Sequence, residues 1–344
     1  MRKMMAIGAA GIAVLATAGA APRADGPYRV LKTAKVGGEG GFDYVYADAE
    51  GRRLYVARSG PMPRVSVFNL DSLEPAGEIA MTNARGAATD SQSHHGFASS
   101  KPVAMWDTKT LALIKTIPVD GRPDGILADS FNHRVYIFSH SEPNATVLDA
   151  KDGSVLGTID LGGAPEQAAA DGKGHVYVDI EDKDSVAVVD AATMKVTAQY
   201  SLNGKGGGNA GLALDVKNHV LFVACRNPQA MVMLDANDGK YLGDVPIGRG
   251  CDGATFNPKT MECFSSQGDG TLTVIKESSP KTFEVEQNVK TMPGAKTLTL
   301  DSKTGKILLI AAEYAAPANP APPGGRGGRG TLVPGSFSIV VVGK

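Results

Sequence analysis

Apolar residues along this chain fall in short runs, and several of the runs alternate with polar positions, as in VYVDI at 176–180 and SVAVVD at 185–190. Period-two alternation places successive side chains on opposite faces of a β-strand. Gly, Pro, Asn and Asp gather between the runs as turn chemistry requires, and sustained helical periodicity is scarce. The runs also recur in a fixed order. An inner strand ending in aspartate is followed by a Tyr/Phe-Val strand and then by a strand that again ends in aspartate, with a repeat of about forty residues. The first landmark falls at Asp48, Asp90, Asp129, Asp171, Asp215, Asn257 and Asp301. The second falls at Tyr55, Phe97, Tyr136, Tyr177, Phe222, Phe264 and Leu309, and the third at Asn69, Asp107, Asp149, Asp190, Asp235, Lys276 and Gly343.

The third unit is the clearest: GILAD, HRVYIF, ATVLDA and SVLGTIDLGG, four strand-length runs separated by turns. Such a unit has two apolar faces and needs a neighbour on each, so stacked units are stable and a closed ring leaves none exposed. The prediction is an all-β, seven-bladed β-propeller of four-stranded antiparallel blades. Its closure is also predicted. VLKTAKVGG at 30–38 matches the fourth-strand phrase VLGTIDLGG at 155–163 but precedes the first full unit, while the last unit lacks a fourth strand. The N-terminal strand should therefore complete the last blade. The expected organisation is a signal segment at 1–20, a linker at 21–28 and a single propeller at 29–344, with a Pro/Gly-rich insertion at 314–336 in blade seven.

The phrases GRRLYVAR, GHVYVDI, SVAVVDAATMKV and VLGTIDLGGAPE resemble the YVTN-repeat β-propellers, specifically the YncE-like group of secreted bacterial proteins. The resemblance covers essentially the whole chain after residue 20. It implies the propeller fold, and because related propellers include lactonases it admits a hydrolase. Blade two departs from the pattern, with SHHGFASS where the Tyr-Val strand is expected.

Residues 1–20 begin with Arg2 and Lys3, pass through an Ala/Gly/Ile/Val/Leu run and end in Ala18-Gly19-Ala20, the form of a cleaved secretory signal. A periplasmic or secreted monomer with no transmembrane segment after cleavage is expected. The formal charge of the chain is −1, and loss of Arg2 and Lys3 makes it more acidic, which argues against nucleic-acid partners. Cys225, Cys251 and Cys263 form neither a CxxC pair nor a haem-attachment motif. Cys225 and Cys251 fall at the same end of adjacent blades and are candidates for a disulfide, whereas Cys263 reads as a buried apolar residue.

In such a ring the loop entering each inner strand and the loop after each second strand open on one face around the channel. Five residues before the inner-strand landmarks stand Asp43, Arg85, Asp124, Glu166, Ala210, Asp252 and Lys296, with Asn209 beside the neutral position. The ends of the second strands add Arg58, His140, Glu181, Arg226, Gln267 and Glu313. Carboxylates gathered at one opening resist joint ionisation unless cations intervene. Asp43, Asp124, Glu166 and Asp252 are candidate ligands for Ca²⁺ or another divalent cation. His94, His133, His175 and His219 recur before the Tyr/Phe-Val strand and read as turn residues on the opposite face.

Two function classes follow, with a third behind them. The first is a noncatalytic propeller whose channel face binds a small polar ligand, a cation or a protein partner. The alternative is a lactone-type hydrolase or lyase, with His140 or Glu166 activating water and Arg85, Arg226 or Lys296 stabilising negative charge. The third is a cell-envelope interaction protein that uses the rim of the ring. GxSxG, HExxH and phosphate-binding loops are absent from the sequence.

Overall fold

The computed structural model describes residues 26–60, 62–80, 84–315 and 330–344. The expected signal at 1–20, most of the linker and Arg326 and Arg329 of the insertion lie outside the described residues. Seven four-stranded antiparallel sheets are present, six of them built from four strands consecutive in sequence. In the seventh, the strand Arg29–Lys35 lies beside Ser338–Gly343, which is followed by Lys306–Ala311 and Leu298–Asp301. Arg29 pairs with Gly343 and Lys35 with Ser338. The N-terminal strand thus closes the ring, as the orphan fourth-strand phrase predicts.

Seven apolar clusters hold the blades together, one for each successive pair. The cluster that closes the circle packs Phe42, Val45, Leu54 and Val56 of blade one on Leu308, Ile310, Ile339 and Val341 of blade seven. Its strands alternate because each side chain set must face a different neighbour, and burying these faces contributes about 25 cal/mol per Å² of apolar surface.

The first landmark residues stand at the ends of the inner strands, and the hairpin that follows each of them has a common geometry. Arg52, His94, His133, Gly174, His219, Met261 and Gly305, one per blade, all have positive φ, between 53° and 117°. Recurrence of histidine here is therefore a turn feature. His175 differs, lying one residue further on and bonding through Nδ1 to Asp171 at 2.8 Å. Blade two keeps four strands despite its unusual second strand. Gly96 is paired directly with Trp106, and a Cβ on Gly96 would stand 2.2 Å from the indole, so the glycine makes room for a fully buried ring.

Candidate functional site

The acidic residues at the channel mouth are placed by a repeated irregularity of the backbone. Pairing between the first and second strands slips between Phe42 and Val45, Pro123 and Ile126, Pro165 and Ala168, and Cys251 and Ala254. The skipped pairs are Asp43-Tyr44, Asp124-Gly125, Glu166-Gln167 and Asp252-Gly253. A β-bulge re-aims its side chains out of the sheet alternation, and here it turns four carboxylates toward one opening. Gly125 is required by the close approach: a Cβ there would meet the Glu166 carbonyl oxygen at 2.6 Å. Below the opening lies a cavity of about 200 Å³ whose lining includes Tyr44, Gly125, Glu166 and Gln167. The Gln167 carboxamide ties three inner strands together, accepting from Leu212 N at 3.0 Å and Ala254 N at 2.9 Å and donating to Ala254 O at 3.0 Å.

Every blade supplies a charged group to the mouth. Arg85 of blade two donates to Asp43 of blade one at 2.9 Å. Arg226 of blade five bridges Glu181 of blade four and Asp252 of blade six, and Lys296 of blade seven closes on the other oxygen of Asp252. His140 of blade three places Nε2 3.5 Å from Asp124 Oδ2 and 3.6 Å from Glu166 Oε1, and this nitrogen has no hydrogen-bond partner. The Tyr44 hydroxyl donates to Glu166 Oε2 at 3.1 Å.

Burial and mutual repulsion raise several of these acids. Desolvation lifts Asp43 above the usual carboxylate range against the opposing pull of Lys296 and Arg85. Burial likewise raises Asp124, with Asp43 adding to the effect and His140 opposing it. Glu166 is pushed up to about 9, first by desolvation and then by Asp252, Glu181 and Asp124, so it carries a proton at neutral pH. The Tyr44 phenol is held far above its ordinary value by burial and the same acids.

Asp43, Arg85, Asp124, His140, Glu166, Glu181, Arg226, Asp252 and Lys296 are therefore brought together; Arg58, Asn209, Glu313 and Gln267 are not. Arg58 is 1 % exposed. Its register partner is Phe42, which makes it the equivalent of Ser139, Ile180 and Gln267, one residue short of the mouth position. Its guanidinium stacks 3.9 Å over Phe337 and donates to the carbonyls of Gly37, Glu39, Gly40 and Gly41 at 3.0–3.5 Å. Asn209 precedes the slip in blade five and pairs with Cys225, which turns its side chain into the blade interface, where it donates to Asp179 at 2.9 Å. Glu313 lies beyond its strand and pairs with Lys35 at 3.3 Å, away from the acid cluster. Gln267 is likewise fully buried.

Tyr44 escapes a count of charged landmarks. Its signal is positional, since it is the second residue of a bulge whose counterparts are Gly125, Gln167 and Gly253. All three cysteines are free and buried. Cys225 packs in the interface between blades four and five and Cys251 in that between blades five and six, so blade five stands between the two thiols. Burial raises both, Cys251 to about 12. Among the described residues, no three His, Cys, Asp or Glu side chains are grouped closely enough to hold a metal ion, and no helix is long and apolar enough to cross a membrane.

No family model matches the chain, and no curated protein matches it significantly by sequence. Solved structures do resemble it. A chain in the crystal structure of a mitotic checkpoint complex has a TM-score of 0.70 at 12% identity, covering 90% of this chain and 95% of that one. The structure of U3-55K gives 0.70 at 11% identity, covering 93% and 99%. At these identities the likeness is one of fold: the chain is a seven-bladed β-propeller.

Proposed function

We propose that this chain is a secreted or periplasmic propeller of the YVTN-repeat, YncE-like kind whose channel mouth binds a small polar ligand. The family reading rests on the repeated phrases at 51–58, 174–180, 185–196 and 155–166, and the location on the signal-like residues 1–20. One observation carries the binding reading: all seven blades contribute a charged side chain to a single, partly buried opening above a cavity. Partly buried charges carry desolvation costs that ring closure does not require. A ligand that completes their hydrogen bonding accounts for them.

The hydrolase alternative is supported less well. Arg85, Arg226 and Lys296 are each engaged by a carboxylate, so the cations that would hold developing negative charge are already neutralised. Thermal shift with small polar compounds, divalent cations and sugar lactones tests both readings. A ligand present at a hundredfold its Kd stabilises by about 2.7 kcal/mol. Stabilisation of the wild type that is lost in Glu166→Gln supports binding at the mouth, and lactone turnover lost in both His140→Ala and Glu166→Gln supports the hydrolase. Silence across the panel removes both and leaves an envelope protein partner on the rim.

A further inference from the structure

Each cation at the mouth is already assigned: Arg85 to Asp43, Arg226 to Glu181 and Asp252, and Lys296 to Asp252. Two acids remain over. Among the described residues, Asp124 and Glu166 meet no lysine or arginine within ion-pair distance, and only His140 stands between them. Asp124 Oδ2, Glu166 Oε1 and His140 Nε2 form a small triangle of potential acceptors centred on the ring nitrogen, with its two sides from that atom 3.5 and 3.6 Å long. Neither side is a hydrogen bond, and the nitrogen is buried with no partner. The three residues are largely buried, with side-chain exposures of 20%, 13% and 19% in the order named. Glu166 also lines the cavity below.

Resting on the binding reading above, we infer that the ligand of this mouth carries a primary ammonium group, held between Asp124, Glu166 and Nε2 of His140. A primary ammonium offers three N–H donors in a tetrahedral spread and has no acceptor, which matches three convergent acceptors. A carboxylate would bring a further negative charge beside Asp124 and Glu166, and a lactone has no N–H to offer these acids, so neither matches the site. The Tyr44 hydroxyl remains on Glu166 Oε2, fixing the carboxyl so that Oε1 faces the ligand.

Binding should be coupled to proton release. Glu166 is surrounded by Tyr44, Asp124, His140, Glu181 and Asp252, with Arg226 beyond the last two, and it holds a proton at neutral pH. An incoming ammonium replaces that proton as the neutralising charge. The carboxyl loses H⁺ to solvent, the amine stays protonated, and no covalent bond forms.

The experiment is calorimetric titration of the full chain with n-butylammonium chloride, n-butanol, sodium butyrate and calcium chloride at pH 7. Proton release is followed in parallel with an indicator dye in weakly buffered solution. Butylammonium should bind and release about one proton per site, while butanol and butyrate should not bind. Loss of a charge-assisted hydrogen bond should cost tenfold or more in affinity in Asp124→Asn and in Glu166→Gln, and Glu166→Gln should abolish the proton release. Asp152→Asn, an exposed acid outside the mouth, should leave both unchanged, and circular dichroism establishes that each variant is folded. Binding of calcium or butyrate without butylammonium would overturn the ammonium assignment and leave a ligand site at the mouth. Butylammonium binding that is unaltered in both folded variants would overturn the placement. Absence of any heat from all four probes also overturns the ammonium inference, whereas a lactone or polar compound that still stabilises the protein would preserve the broader reading.

Discussion

Tyr28 gives the sharpest test of how the ring is closed. It stands just before the strand Arg29–Lys35 and is 3% exposed. Its ring meets Phe264 of blade six edge-on, with centroids 5.2 Å apart, and lies 5.0 Å beneath the Lys344 ammonium. Its hydroxyl donates to Glu262, which is 1% exposed, and its backbone N–H and C=O are both bonded to the Gln287 side chain, at 2.9 and 2.7 Å. Tyr28→Ala removes a buried aromatic ring and should cost about 3–5 kcal/mol. At about 2 °C per kcal/mol for a domain of this size, Tm should fall by roughly 6–10 °C. Tyr28→Phe keeps the ring and removes one donor from Glu262, a loss of about 1–3 kcal/mol, moderated by Lys344, which remains 3.0 Å from the same carboxylate. Leu31→Ala, on the same strand but 40% exposed, should stay within about 1 kcal/mol of wild type. Circular-dichroism melts of the three variants separate the terms. If Tyr28→Ala melts within 2 °C of wild type, by about the same measure, the N-terminal strand is an ornament on an already closed ring and the reasoning fails.

Three further outcomes are expected. Burial raises Glu277 from 4.5 to about 7, with the neighbouring Asp215 carboxylate adding to the effect. The folded state therefore binds the extra proton, so this stabilisation is complete below pH 4.5 and fades as pH rises through about 7. Asp215→Asn should flatten that decline, and urea midpoints at pH 5 and 8 that differ as much as in wild type would contradict it. Gly96→Val drives a side chain into Trp106 and should cost about 1–3 kcal/mol or more by overpacking; an unchanged midpoint in urea would remove the account of blade two. Arg58→Met should lower stability, because four carbonyls of the Gly37–Gly41 turn lose their donor, yet leave any ligand response at the mouth intact. A lost ligand response in a folded Arg58→Met protein would return Arg58 to the site.

The architecture was legible because a ring repeats its own punctuation. Aspartates such as Asp48 and Asp129 end inner strands, and the orphan strand phrase at 30–38 has one vacant place to fill. The charged positions around the mouth were legible except at places such as Arg58 and Asn209, and strand geometry explains those errors. A count along the sequence has no means of locating the slip in pairing that turns Asp43 or Glu166 toward the channel. In blade five that slip comes after Asn209, and in blade one Arg58 falls on the paired side of it, so both side chains point into packed interfaces. The same blindness to side-chain direction suggested a Cys225–Cys251 disulfide. The two thiols share an end of the ring but lie on opposite faces of one blade.

Because Arg29 and Gly343 are directly opposite each other on paired strands, the ring has no privileged starting point. A short linker from Gly26 to Lys344 would turn the terminal pairing into an ordinary hairpin. New ends could then be opened in any turn between blades, giving circular permutants with the same sheet. Cargo joined directly at Gly26 or Lys344 would emerge from the same place on the outer edge, so the propeller can be tethered there while its channel mouth stays free.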